Sequence, residues 1–385
     1  MNRILALFRE RDTRDELGLG GIRDSISDQL FPGTSTIQTR LCYMLYVPWM
    51  YRILEDNRVG SDAIEDRRRE FELQILDNLR ASDDDLSGVF GYQAGHSVKR
   101  LPSEVYWSGL ETWGIRLYPG AQGQYHRSLD AIYRRRKRTS RRSAEVAEEG
   151  FLTWHPGLPA PREGFPKNVT TSLALEEARY LQERMATATT TSPSLLAYLA
   201  VHPDPIGIEA DYPWLHPGFA SFPADQQRLL RHAYRFSQVM YGANLLYNHM
   251  LSELARREDW VAEHRQNLRI WTQETDALSP EDWDLRELWM LVKGKGHTIT
   301  PQAERFVSEW VSLCRSGSAG LVDDERARGL VREREERLKL ARSRFRNSRA
   351  LDQYGGRAGY QPMDFRWSPV RGLLGDLYRG LDVIS

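Results

Sequence analysis

Cysteine is nearly absent, with only Cys42 and Cys314 in 385 residues. Two thiols so far apart supply neither a zinc-ligand spacing nor a disulfide framework, which points to a reducing, cytoplasmic setting. Long apolar runs are missing as well. The opening stretch Ile4-Leu5-Ala6-Leu7-Phe8 stops at Arg9, too short for the core of a signal peptide. Nothing approaches the roughly 20 apolar residues of a membrane helix, so no membrane partner is expected.

Lysine occurs only at 99, 137, 167, 293, 295 and 339. None of these has an acidic residue two positions before it, which removes the acidic-x-Lys element of restriction-type nucleases. No His-x-Lys of a phospholipase-D-type phosphodiesterase occurs either. Arginine therefore carries the positive charge, as in a protein from a GC-rich genome. Net charge is zero, 53 basic residues against 53 acidic, so nothing global attracts the chain to polyanions.

Catalytic motifs are equally scarce. Lys293-Gly294-Lys295-Gly296-His297-Thr298 lacks the spacing of a phosphate-binding Walker loop. No His-x-x-x-His helix, Cys–His cluster or Gly-x-Ser-x-Gly elbow is present. His155, His202 and His216 each precede proline, which is ordinary extended-loop chemistry. No metal site and no cofactor are expected.

What is present is helical periodicity. Leu229, Ala233, Phe236, Met240, Ala243, Tyr247, Met250 and Leu254 recur at alternating spacings of four and three, predicting a long helix over 225–257. Leu230, Val239, Leu246 and Leu251 widen that stripe, so the helix belongs at the centre of a bundle. Ser279-Pro280-Glu281, Thr300-Pro301-Gln302 and Ser368-Pro369 pair a capping hydroxyl with proline at the first helical position. Pro102-Ser103 and Gly114 bracket a short helix, and 66–80 repeats the period through Phe71, Ile75 and Leu79. Thr34-Ser35-Thr36 offers caps for a helix carrying Ile37, Leu41, Leu45 and Trp49, which Pro48 should kink or end. A short β element is compatible with 1–8 or 115–118. The expected fold is mainly α, with a helical region at 1–125, an irregular basic and Pro-rich connector at 126–170, and a larger helical bundle at 171–385.

Charge is clustered. One island holds Arg127, Arg134, Arg135, Arg136, Lys137, Arg138, Arg141 and Arg142 against Asp130, a density able to neutralise several phosphates. Glu145, Glu148 and Glu149 follow directly, and a solvated arm has the same composition. The second island, 326–349, includes Arg342, Arg344 and Arg346, with Glu333, Glu335 and Glu336 interleaved, as on a charge-laced surface helix. The Pro102–Gly114 helix could serve a helix-turn-helix, but its outward Glu104 and Glu111 suit a groove reader poorly.

Three polar groups fall elsewhere. Asp24 and Asp28 stand one helical turn apart and could share a cation, although capping explains them as well. Arg40 and the loop Gly355–Tyr360 complete a possible phosphate-handling pocket with them. Asn244, Asn248 and His249 interrupt the apolar centre of the long helix beside Gly242 and Ala243, either as satisfied buried groups or as part of a pocket.

Phe31-Pro32-Gly33-Thr34-Ser35-Thr36 running into Tyr46-Val47-Pro48-Trp49 resembles a bacterial family known as domain of unknown function 6361. Leu101-Pro102-Ser103, Trp154-His155-Pro156-Gly157, Tyr241-Gly242-Ala243 and Phe365-Arg366-Trp367 extend the likeness over most of the chain. The resemblance supplies no catalytic residues. It implies a setting in bacterial defence, beside helicases and DNA-modifying enzymes. The expectation is a non-enzymatic component of a defence or DNA-processing assembly, contacting DNA, RNA or an acidic protein partner through the arginine islands. Two alternatives stand beside it: an unfamiliar enzyme acting on a phosphate-containing substrate, and a structural adaptor.

Overall fold

The computed structural model describes residues 15–82, 85–142, 152–276, 282–317, 320–359 and 361–383, with the backbone alone at 138–142 and 276. Ile4–Phe8, Ser279-Pro280-Glu281 and Tyr360 lie outside the described residues. The described residues form fourteen α-helices and no β-strand, so the protein is mainly α. The β element considered at 115–118 is one antiparallel bridge between Arg116 and Trp154. The chain divides into two compact units, one of Asp28–Gln226 with Arg366–Ser385 and one of Gln227–Phe365 with the residues up to Ser27.

In the first unit the core helix is α2 (Tyr43–Asp56); α1 (Gly20–Leu30) precedes it in the chain, with Gly20–Ser27 assigned to the second unit. Pro48, expected to kink or end this helix, sits inside α2 and does not end it. Leu45, Trp49, Tyr51 and Leu54 are all buried along α2, and this burial offsets the one backbone bond that proline removes. The helix also starts later than the Thr34–Thr36 hydroxyls suggested. Thr34 Oγ1 donates to the Phe31 carbonyl at 2.6 Å and closes a turn instead of capping. That turn lies against α4 (Pro102–Thr112). Trp113 Nε1 donates to the Pro32 carbonyl at 2.9 Å, and a Cβ at Gly109 would stand 2.4 Å from the Gly33 oxygen. Glycine at 109 is therefore what lets the Phe-Pro-Gly turn approach. The helix α3 (Ile64–Ala81) packs on α2 through Ile75, Leu76 and Leu79.

The stretch expected as an irregular connector is partly helical. Its basic island forms α5 (Gln122–Arg142). Tyr125, Leu129 and Ile132 are buried at the i, i+4, i+7 spacing of one helix face, a short stripe that the surrounding arginines mask in the sequence. Arginine is itself a good helix former. After α5 the chain still supplies core residues, with Trp154, Leu158 and Val169 buried. The helices α6 (Leu175–Thr187) and α7 (Leu195–Val201) complete the unit with the last helix, α14 (Trp367–Gly380). Asp376 of α14 accepts from the Leu41 amide at 2.8 Å and from Arg40 Nε at 3.1 Å, tying the two chain ends of the unit together.

The second unit is built on α8 (Ala224–Leu254), 31 residues and roughly 46 Å long. Its predicted stripe is buried from Leu229 to Met250, while Leu254 is exposed. Around it lie α9 (Glu258–Asp276), α10 (Leu285–Val292), α11 (Pro301–Arg315), α12 (Glu325–Lys339) and α13 (Ser348–Asp352). Trp310 Nε1 donates to the Val239 carbonyl at 2.8 Å. Trp271 lies across Gly242, where a Cβ would come within 2.0 Å of its ring. Thr300 caps α11 through the Ala303 amide at 3.2 Å, as its Thr-Pro pair predicts. Gly294 and Gly317, at φ +73° and +109°, follow α10 and α11 in the left-handed conformation common past a helix end.

Candidate functional site

The helix α5 sorts its charges by face. Tyr125, Leu129 and Ile132 point inward, and Arg136, at the next position of that stripe, is half-buried. Arg136 meets Glu55, 2.8 Å from Nη1 to Oε2, and donates to Thr153 Oγ1 at 3.0 Å. Buried Glu55 also accepts from Tyr125 Oη and, at 3.1 Å, from Trp154 Nε1. Thr153 Oγ1 donates to Glu55 as well, at 2.8 Å, and four donors on one carboxylate fix the roll of α5 about its axis. Asp130, the helix's only acid, accepts from Ser61 Oγ at 2.5 Å.

The opposite side of α5 is solvent-facing and basic. Arg127, Arg134, Arg135 and Lys137 are exposed. Arg127, Arg134 and Lys137 form no ion pair among the described residues. The side chains of Arg138, Arg141 and Arg142 lie outside the description, although their backbone continues the helix. Burial, and then Glu55, Asp130 and Asp56, raise the Tyr133 phenol on this helix to about 12.

The second arginine island is built differently. Arg334 is buried and donates to the carbonyls of Leu17 and Gly18 at 2.8 and 3.0 Å. Arg344 bonds Glu16 at 2.8 Å and Tyr247 Oη at 2.9 Å, and Lys339 also pairs with Glu16. Arg346 pairs with Glu336 at 2.6 Å and Arg337 with Glu333 at 3.0 Å. Of the three predicted contacts here, Arg342 alone is exposed with no ion pair among the described residues. Most of this island's charge holds its own unit together.

The charged residues drawn into a possible pocket, Asp24, Asp28 and Arg40, each have a partner within their own unit. Asp24 pairs with Arg23 at 3.0 Å, Asp28 with Arg366, and Arg40 with Asp376 and Asp85. The loop drawn with them packs on the centre of α8. Asn248 is fully buried, with Nδ2 donating to the carbonyls of Asn244 and Ala358 at 2.6 and 2.7 Å. Its Oδ1 accepts from the Ala358 amide at 2.7 Å and from Tyr354 Oη at 2.8 Å. All its capacity is used, so Asn248 is a clasp for the loop. Gly359, at φ +62°, lies against the Asn244 amide. His249 is buried, with Nε2 3.1 Å from Glu253 Oε1 but no well-aligned hydrogen bond. Burial is the largest cause lowering its pKa, so it is neutral at pH 7. Among the described residues no group of three or more His, Cys, Asp or Glu could hold a metal.

The exposed face of α4 is Glu104, Ser108 and Glu111, with Trp107 and Trp113 buried. An acidic outer face does not suit a nucleic-acid groove.

A polar network that motif reasoning missed runs through the first unit. Glu72 is buried and accepts from Arg68 Nη1 at 2.8 Å, the Ser103 amide at 2.7 Å and Ser103 Oγ at 3.0 Å. Gln122 Nε2 donates to Ser103 Oγ at 2.9 Å and to Tyr51 Oη at 2.8 Å. Tyr51 Oη lies 2.8 Å from His126 Nε2, and His126 Nδ1 lies 3.1 Å from the exposed Glu65. Donation by Nδ1 to Glu65 leaves Nε2 to accept from the tyrosine. Burial pushes Glu72 up to about 7 against the pull of Arg68 and Ser103. Burial likewise pushes His126 down to about 4, with Glu65 opposing it. The cavity beside Glu72 is only about 10 Å³, the size of one water, so no substrate fits there. The sequence signal was available: Arg68 and Glu72 are in phase with Ile75 and Leu79, at i, i+4, i+7 and i+11. A charged pair on an apolar stripe is a buried pair.

A family model described as a family of unknown function, DUF6361, matches residues 1–380. No curated protein and no solved structure matches. Among the described residues no helix is long and apolar enough to cross a membrane.

Proposed function

The chain belongs to the DUF6361 family, and within it we propose a nucleic-acid-binding component whose contact surface is the outer face of α5. The observation that carries this reading is the contrast between the two islands. Six of the second island's ten cations, Arg328, Arg334, Arg337, Lys339, Arg344 and Arg346, meet carboxylates or carbonyls of their own unit, whereas α5 anchors itself through Arg136 and exposes Arg127, Arg134, Arg135 and Lys137 along one helix. A rigid helix carrying such a row matches a phosphate backbone by charge and reads no bases. The bacterial defence or DNA-processing assembly implied by the family resemblance belongs to the same proposal, with a helicase or other defence protein as the accompanying partner.

Four phosphate contacts give a log–log salt dependence of about −0.9 × 4, or roughly a hundredfold loss of affinity between about 50 and 200 mM salt. The test is fluorescence anisotropy of the full chain with labelled DNA and RNA. R127E/R134E/R135E/K137E should abolish binding at low salt, while R342E/R349E in the second island should leave it unchanged. Wild-type affinity in the α5 variant overturns the proposal.

A further inference from the structure

A groove of about 640 Å³ in the first unit is lined by Leu86, Val89, Tyr92, Gln93 and Val98 among others. Motif reasoning did not single out this loop. We propose that the groove holds an unpaired base of single-stranded nucleic acid, with Tyr92 as its stacking platform. The inference rests on the nucleic-acid reading above and adds the strand form of the ligand.

Tyr92 is a large aromatic left 44% exposed in a concave wall. Its hydroxyl and ring make no hydrogen bond or aromatic contact among the described residues. The Arg80 guanidinium lies 5.9 Å from its ring centroid. An exposed tyrosine beside an arginine is the pairing on which bases stack, because every base has a π-face and each nucleotide brings a negative charge.

Arg80 stands beside Tyr92, and Lys99 and Arg100 follow the lining residue Val98 in the chain. Arg80, Lys99 and Arg100 are exposed and make no ion pair among the described residues. Among the described residues Asp77 meets His96 Nε2 at 2.9 Å, and Asp85 accepts from Ser87 and Arg40. The three cations are placed to meet the phosphates of a strand whose base lies on Tyr92.

The groove is also held in shape before any ligand arrives. Arg40 Nη1 donates to the Ser87 carbonyl at 3.1 Å, and Thr39 Oγ1 to the Gly88 carbonyl at 2.5 Å. The Phe90 amide donates to Tyr43 Oη at 3.1 Å, and the two rings meet edge to face at 5.4 Å. Arg69 donates to the His96 carbonyl at 3.2 Å. At Gly91, φ is +73° and a Cβ would come within 3.0 Å of Leu76 and 3.2 Å of Val98. A wall pinned to the core loses little entropy on binding. Bases inside a duplex have both faces covered by neighbours, so this surface favours an unpaired strand.

The experiment uses the full chain with fluorescein-labelled dT and rU 20-mers, a 20-base-pair duplex, and a 20-mer carrying one 2-aminopurine. Loss of one stacking contact is expected to weaken single-strand binding about tenfold in Y92A. Duplex binding should stay as in wild type, and Y92F should restore single-strand affinity. The 2-aminopurine signal should change on binding to wild type and Y92F and stay unchanged with Y92A. The dT and rU arms separate DNA from RNA as the source of the strand. Single-strand affinity unaffected in Y92A, while the α5 variant loses binding, overturns the groove and leaves the α5 reading intact. Binding kept in the α5 variant but lowered in Y92A overturns the α5 reading and supports the groove. No binding by wild type at about 50 mM salt overturns both.

Discussion

The buried network of Glu72 and His126 predicts two opposed pH dependences inside one unit. Glu72 faces Arg68 on its own helix, Ser103 on α4, and Tyr51 and Tyr43 on α2. His126 faces Glu65 and Arg68 on α3, Tyr51 on α2 and Arg127 on its own helix. Burial moves Glu72 from 4.5 up to about 7 and His126 from 6.5 down to about 4. Each displacement corresponds to roughly 3 kcal/mol of folding free energy. The raised carboxyl makes the native state hold a proton that the unfolded chain releases, so its stabilisation is present below about 4.5 and is lost as pH rises to about 7. The depressed imidazole does the opposite. The unfolded chain takes up its proton first, so that stabilisation is present above about 6.5 and is lost as pH falls to about 4. In the wild type the two slopes largely cancel between pH 4.5 and 6.5. Single substitutions should uncover them. Relative to wild type, Glu72→Gln should gain on the order of 3 kcal/mol of stability as pH goes from 4.5 to 7. His126→Gln should lose a similar amount relative to wild type as pH goes from 4 to 6.5. Urea unfolding at half-unit pH intervals gives both profiles, and the difference from wild type removes every other titrating group. Two difference profiles of the same sign, or two flat ones, would refute burial as the controlling term.

Gly242→Ala should destabilise the second unit by about 1–3 kcal/mol, since its Cβ would stand 2.0 Å from Trp271 and overpack a filled site; a lower thermal midpoint checks it, and a neutral result would show that the tryptophan can move. Asn248→Ala should cost about 3 kcal/mol by stranding the buried Ala358 amide and carbonyl. Faster amide exchange confined to residues 354–359 would identify the loss of the clasp, and unchanged exchange there would contradict it. Glu55→Ala should be costlier than either, at about 3–5 kcal/mol, because it leaves Arg136 without its buried partner and Tyr125 and Trp154 without an acceptor. It should also weaken nucleic-acid binding by freeing the roll of α5; full affinity in a folded Glu55→Ala protein would separate the basic face from its anchor.

The helical class, the long helix and several of its neighbours were legible in the residues alone. An apolar stripe repeating over eight positions from Leu229 leaves little choice but a buried helix, and Thr300-Pro301 marks a helix start by chemistry that acts within one turn. Local signals of that kind need no partner. The turn at Phe31-Pro32-Gly33 was legible as a break, but its role was not. Only α4, brought against it, shows why glycine stands at both 33 and 109. Likewise Pro48 reads as a helix breaker until the burial around α2 is seen.

Charge was where sequence and tertiary structure parted. Composition shows two arginine islands of similar density and cannot tell which is spent. A cation's availability depends on whether a carboxylate or carbonyl from a distant segment reaches it, as Glu16 reaches Arg344 and Leu17 reaches Arg334. The same rule hid the Tyr92 groove, whose wall is a loop without periodicity, pinned by Arg40 and Tyr43 from elsewhere in the chain. Periodicity along the chain determined the helices. Which charges remain for a partner was decided by packing, because pairing is a property of neighbours in space.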